Sequence, residues 1–301
     1  MFSVFRAAMT VGAVLLVSGA NAETLSPAGP IFDVEASRQI NRATLVERLA
    51  EADVVILGEY HDNPQAHIWQ AKLVEELDAA RGVGGLAFEM FGEDREAAAN
   101  AHRAEGKPVL ELEGVLGWEN WPDFEMYAPI FSAAPDAHLT GGAVPRGDLM
   151  RLAMAPEQSP LAERFKLAEP LADEEQAKRE AGQAAAHCFA LPDDILPGMV
   201  TAQRLRDASF ADALLRAHDE AGDKLAVLIT GNGHARTDWG VPRDVATASP
   251  ELETLSFGIV EVSEQQLQKT YAEVFEEAPP YDFVVVLEAF DRGDPCDAFK
   301  Q

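Results

Sequence analysis

Histidine and glutamate recur in this chain just where short apolar runs break off. Asp53-Val54-Val55-Ile56 leads into Leu57-Gly58-Glu59-Tyr60-His61, and Leu225-Ala226-Val227-Leu228-Ile229 leads into Thr230-Gly231-Asn232-Gly233-His234. Each segment sets a His three residues after a Gly. A third run, Leu86-Ala87-Phe88, ends on Glu89, and a fourth leads to Arg146. Imidazoles and carboxylates gathered in one crevice suit general acid–base work or metal ligation. On that chemistry His61 and His234 are candidate ligands for a divalent ion, and Glu59 or Glu89 is the candidate base toward a metal-bound water, as in a metal-dependent hydrolase. The same groups can instead orient the carboxylates of a cofactor through charge-assisted hydrogen bonds. His67, on the first turn of the following helix and near His61, faces either the crevice or solvent.

These residues meet only if the runs that carry them lie side by side. The runs are short, apolar and β-branched, which is the pattern of buried parallel strands. Asn63-Pro64 reads as a helix N-cap followed by Pro at the first helical position, and Trp69, Leu73 and Leu77 then share one face. Further strands are predicted at 137–144, 255–262 and 283–287, with helical sequence at 93–105, 170–187 and 198–221. Strands alternating with helices predict a three-layer α/β sandwich with a mostly parallel central sheet. Ligands of such sheets bind in the crevice outside the carboxyl ends of the strands, where all the chemistry-bearing residues fall. Residues 107–131 fit the alternation badly and hold Trp118, Trp121, Phe124, Met126 and Tyr127, so a helical, aromatic insertion acting as a lid is expected there. Aromatic walls suit a flat apolar ligand, and a phenolate is an accepted ligand of haem iron, which makes Tyr60 and Tyr127 candidate iron ligands.

Other classes are excluded by pattern. Gly231-Asn232-Gly233-His234-Ala235-Arg236 lacks the third glycine of a dinucleotide fingerprint, and Gly82-Val83-Gly84-Gly85 is expected ahead of its strand, where it cannot cradle phosphate. There is no GxSxG elbow, HExxH pair or Walker loop. The chain carries 24 Lys and Arg against 51 Asp and Glu, a net charge of −27, which argues against nucleic acid or an anionic membrane as partner. Residues 1–22 read as an export signal. Arg6 supplies the positive start, the apolar stretch 7–19 is too short to span a bilayer, and Ala20-Asn21-Ala22 has the form of a cleavage site. The expected product is a single domain of residues 23–301 in a periplasm, with no lipidation Cys and hence no stable membrane anchor. In that oxidising compartment Cys188 and Cys296 are expected to form a disulfide.

The motifs also resemble a known family. Gly58-Glu59-Tyr60-His61-Asp62-Asn63-Pro64, Phe88-Glu89-Met90-Phe91, Trp118 with Trp121, Val144-Pro145-Arg146, Gly231 to Arg236 with Gly240-Val241-Pro242, and Asp294-Pro295-Cys296 look like the ChaN family, the haem-binding uptake family of the Tiki superfamily. The resemblance runs from about residue 35 to 298. It implies an α/β fold, an exported protein of iron acquisition, and haem held between two monomers of a homodimer. It further implies a Tyr on the iron and basic or His side chains on the propionates. The residues available for haem are then Tyr60, Tyr127, His61, His67, Arg146, His234 and Arg236. Two departures stand out: there is no lipidation Cys, and Ala66 occupies the first of two positions that are often adjacent histidines, leaving His67 alone. The wider superfamily includes metal-dependent peptidases and erythromycin-resistance esterases that are similar at GxxH and the strand-end Glu, so the hydrolase alternative stands beside the haem reading.

Overall fold

The computed structural model describes residues 27–119, 121–294, 296 and 297. The expected export signal and its cleavage site lie outside the described residues. All six strands read from the apolar runs are present: β3 (Val54–Leu57), β4 (Val83–Phe88), β5 (His138–Gly141), β6 (Leu225–Ile229), β7 (Thr254–Val262) and β8 (Phe283–Glu288). Ahead of them β1 (Ile31–Asp33) and β2 (Arg38–Ile40) form a hairpin that the sequence reading missed, because three residues are too few to display a period. The sheet order is β2-β1-β8-β7-β3-β6-β4-β5, parallel from β8 to β5 and antiparallel where β1 joins β2 and β8.

The helices are α1 (Arg42–Leu49), α2 (Pro64–Ala80), α3 (Glu96–Ala104), α4 (Leu112–Leu116), α5 (Phe124–Ala133), α6 (Arg146–Met154), α7 (Asp173–Ala186), α8 (Leu196–Ala221), α9 (Asn232–Ala235), α10 (Val241–Ala248) and α11 (Tyr271–Val274). They cover both faces of the sheet. Successive strand residues point to opposite sides, so Val55, Leu57, Val227 and Ile229 meet α1, α2, α4 and α5. Val54, Ile56, Ala226 and Leu228 meet α6, α8 and α10. The sandwich is therefore three layers deep, as the alternation predicts. α2 begins as the sequence suggests, with the Asn63 side chain accepting from the Gln65 amide and Pro64 in the first turn.

Winding reverses at the middle of the sheet. The chain leaves β3 for β4 and β5, then returns to insert β6 between β3 and β4 before crossing to β7. The helix after β3 lies on one face and α10, after β6, on the other. In sheets of this kind the ligand crevice falls where such neighbouring connections part, which here is at the carboxyl ends of β3 and β6.

Two local expectations are corrected. Gly84 and Gly85 lie within β4, not ahead of it, because α8 crosses the strand at backbone contact. A Cβ on Gly85 would sit 2.3 Å from the Ala217 carbonyl oxygen, and one on Gly84 2.7 Å from the Ala221 Cα. The aromatic insertion is helical, but its rings point inward. Trp118, Phe124 and Tyr127 are buried, Phe131 stacks on Phe88 with centroids 4.3 Å apart, and half-buried Trp121 packs edge-on against His61. The segment extends the core over α2, since large rings remove more apolar surface from water there than they could in an open lid.

Cys188, just past α7, is bonded to Cys296, with Cα atoms 5.6 Å apart, and ties the C-terminal segment to the body of the fold. Among the described residues no helix is long and apolar enough to cross a membrane.

The α8–β4 contact sets a stability test. Gly85→Ala should cost about 1–3 kcal/mol in urea unfolding, as overpacking does. Gly147→Ala, in α6 with nothing within 4 Å of the added methyl, should be neutral or stabilising by up to about 1 kcal/mol.

Candidate functional site

The two GxxH segments continue neighbouring strands in register. Leu57 pairs with Ile229, and beyond the strands the Thr230 amide donates to the Leu57 carbonyl at 3.2 Å and the Asn232 amide to the Glu59 carbonyl at 2.9 Å. The glycine of each motif is the seat of a side chain from the other. A Cβ on Gly58 would lie 2.5 Å from Asn232 Oδ1, and one on Gly231 would lie 3.1 Å from His61 Nε2. Asn232 also clamps β7, donating to the Ile259 carbonyl at 2.7 Å and accepting from its amide at 3.0 Å.

Onto this backbone frame the chain assembles a line of carboxylates and imidazoles. His61 Nδ1 bonds Glu59 Oε1, and His61 Nε2 lies 3.9 Å from Glu89 Oε1. On the other side of Glu89 stands His234, its Nε2 3.6 Å from the same oxygen and its Nδ1 2.6 Å from Asp207 Oδ1. The second oxygen of Glu89 accepts from the Thr230 hydroxyl at 2.7 Å and the Gly231 amide at 2.8 Å, so β6 fixes the carboxylate that β4 delivers. Tyr127 donates to Glu59 Oε1 at 3.3 Å, and Gln203 lies 3.0 Å from His234 Nδ1. Among the described residues, Glu59 Oε2 and Asp207 Oδ2 are buried without a hydrogen-bond partner.

The charges reinforce one another. Burial works against a cation at His61, but the hydrogen bond and charge of Glu59, with Glu89 behind, raise its pKa to about 9. Burial likewise opposes charge on His234, and Glu89 and Asp207 overcome it. Burial would raise Glu89, yet His234 and His61 hold it below the ordinary carboxylate value. Asp207 goes the other way, because its burial outweighs the help of His234. At neutral pH the centre thus holds a cationic imidazole, His61, at its open end.

The remaining candidates are dispersed. His67 is buried, bonds the His61 backbone carbonyl through Nε2 at 3.1 Å and packs on the Tyr127 ring, so it supports the turn that carries His61. Tyr127 has no exposed surface, whereas Tyr60 is 37% exposed at the mouth, with the Arg292 guanidinium 5.4 Å from its ring centroid. Burial and the charge of Glu261 raise the Tyr60 pKa, and burial with Glu59 raises that of Tyr127. Arg146 is exposed at the start of α6, on the same edge of the sheet. Arg236 is bound to Asp238 and lies 4.0 Å over the Trp239 ring. Among the described residues no group of three or more His, Cys, Asp or Glu side chains is arranged to hold a metal ion. In the hydrolase alternative the divalent ion would meet two imidazoles, each with Nδ1 bonded to a carboxylate and Nε2 on the side of Glu89.

Asp207, Gln203, Thr230 and Arg292 were not anticipated. One signal was available: Gln203 and Asp207 fall on the stripe of α8 shared by Val200, Ala211 and Leu214, where a helix of this period buries its side chains. Arg292 carried none, since its partners Asp62 and Glu261, at 2.7 and 2.5 Å, come from distant segments.

A doubly covered, mostly parallel sheet with histidines and carboxylates at its central switch point defines an α/β ligand-binding domain. The model of the haem-binding uptake family, ChaN of the Tiki superfamily, matches residues 45–245, and the chain belongs to that family. Among solved structures it is similar to ChaN of Campylobacter jejuni, described as binding haem cofacially, with a TM-score of 0.67 and 17% identity over 87% of this chain and 97% of that one. It is also similar to a mutant of the erythromycin esterase EreC in its open conformation, with a TM-score of 0.44 and 13% identity over 78% of this chain and 77% of that one. The type III effector HopBA1 has a TM-score of 0.44 and 15% identity, over 82% of this chain and 93% of that one. Among curated protein sequences none matches.

The raised pKa of His61 makes stability depend on pH. Its ordinary value is 6.5 and its folded value about 9, so the contribution is complete below pH 6.5 and is lost as pH rises through 9. Thermal unfolding followed from pH 6 to 10 should show a midpoint that falls chiefly across that window. Glu59→Gln should flatten the fall; parallel curves for the two proteins would assign it to other groups.

Proposed function

We propose that this protein is an exported haem-binding protein that carries or stores haem for iron uptake, working in a periplasm as a homodimer with haem held between its protomers. Family membership over residues 45–245 carries this reading. The site's chemistry is compatible with it. Haem is a flat, largely apolar macrocycle with two anionic propionates; a Tyr oxygen is one accepted ligand of its iron, and the propionates call for local positive charge in a protein with a net charge of −27. Tyr60 is the candidate iron ligand, since its ring edge reaches solvent at the crevice mouth, while the Tyr127 hydroxyl is buried and given to Glu59. Iron on the phenolate would have to displace a proton that burial and Glu261 hold more tightly than usual, and Arg292 over the ring assists its loss. Arg146 is the exposed cation at this edge for a propionate, with His61 as a second. His67 and His234, held by internal partners, keep the crevice in shape, and Arg236 is paired with exposed Asp238.

One observation favours a second reading. Glu89 stands between two imidazoles, each backed by a further carboxylate, which is an acid–base arrangement a carrier does not need. In a hydrolase Glu89, held ionised, would take a proton from water, and His61, half-buried and cationic, would give one to the leaving group.

Titration of residues 23–301 with haemin should give a saturable Soret band and a dimer-sized species in gel filtration. Tyr60→Phe should lose the tyrosinate charge-transfer band and at least tenfold in affinity, with Tyr127→Phe close to wild type. Absence of a saturable Soret band would overturn the haem reading. Hydrolysis of p-nitrophenyl esters or peptides that disappears in Glu89→Gln would support the second.

A further inference from the structure

Behind His234, on the far side of Asp207 from the crevice, lies a half-open pocket of about 230 Å³. Its walls come from α7, α8, α10, the turn carrying Trp239 and the segment between α6 and α7. Four cations line it, Lys166, Arg179, Arg204 and Arg243, in a chain with more than twice as many acidic as basic residues. Arg179 is the buried one of the four: it is 7% exposed, it spends Nε and Nη2 on Glu175, and its buried Nη1 has no hydrogen-bond partner among the described residues. A buried guanidinium N–H left unpaired costs about 1–3 kcal/mol or more, so its persistence calls for an acceptor that enters the cavity.

We propose that this cavity is a binding site for a small oxoanion, a carboxylate or phosphate, held by Arg179 with Arg204 and Arg243. Arg179 offers the N–H groups of Nη1, and the guanidinium groups of Arg204 and Arg243 supply further charged donors for the oxygens of either group. The ring of Trp239 lies 5.3 Å from the Arg179 guanidinium. Four acids share the wall: Glu175 is held by Arg179 and Arg243, Asp207 is engaged by His234, Glu169 is exposed, and burial pushes the Asp244 carboxyl well above its ordinary range. Burial first, and then the neighbouring charge of Arg179, disfavours the cation at Arg204; Arg243 adds to this, and Asp244 and Glu175 oppose it. The volume falls below the ~300–1,000 Å³ of sites for drug-sized ligands, so the occupant is a small acid and not a porphyrin.

The test is calorimetric titration of the mature, haem-free protein with inorganic phosphate and, separately, succinate, against sodium chloride at equal ionic strength. It requires no haem, so its outcome is independent of whether haem binds. Saturable binding of either anion is expected, with at least a tenfold loss in Arg179→Gln, and the anion that binds identifies the class. Should Arg179→Gln fail to fold, Arg204→Gln and Arg243→Gln, on the more exposed wall, carry the same expectation in proteins checked by circular dichroism. No saturable heat with either anion, or binding unchanged in the folded variants, would overturn the proposal.

Discussion

Five ionisable side chains alternate in sign from Glu59 through His61, Glu89 and His234 to Asp207, and all but His61 are buried. Charges taken out of water are costly unless each is paired, and removing one member of such a line strands its neighbours in a low-dielectric interior. The five come from the ends of β3, β4 and β6 and from the middle of α8. Their compensation is therefore complete only when three strands are in register and α8 lies against the sheet. The site is in this sense a lock on the topology as well as a place for chemistry.

That demand explains the local sequence around it. Gly58 and Gly231 are small because each accommodates a side chain of the opposite motif, so β3 and β6 can approach only with the two motifs level. Thr230 and the Gly231 amide hold the oxygen of Glu89 that faces away from the histidines, and Asn232 ties the same turn to β7. Gly84 and Gly85 let α8 come down onto β4, which is what brings Asp207 within reach of His234. Packing on one face and charge at the edge are consequences of the same close approach.

Positive charge is scarce in this protein and its placement is correspondingly informative. Arg292 is spent on Asp62 and Glu261 at the crevice mouth, where it shields Tyr60. A second concentration lies behind His234, with Asp207 as the wall between the two regions. Asp207 thus touches both the crevice, through His234, and the basic cavity. Its free oxygen, like that of Glu59 at the other end of the line, marks a place where the polypeptide alone leaves a buried acceptor unsatisfied.

The sequence by itself determined the six main strands, the helices α2, α7 and α8, the doubly covered sheet and the edge on which Glu59, His61, Glu89 and His234 would meet. Those features follow from local periodicity and from the rule that ligands collect at strand ends, neither of which needs a partner far along the chain. The glycines of β4 were misread because their reason, the backbone of α8, is more than a hundred residues away. The aromatic insertion was expected as a lid because ring-rich sequence looks the same over a site as inside a core; only packing against α2 and Phe88 decided that it faces inward. Arg292 escaped because a lone charge in a C-terminal loop has no local signature, and Asp207 because its place on the buried stripe of α8 marks it as buried without naming its partner; the meaning of each arises from the group it neutralises. The sequence specified the ingredients of the charge line, and the tertiary structure decided its order, because Coulombic pairing acts through space and not along the chain.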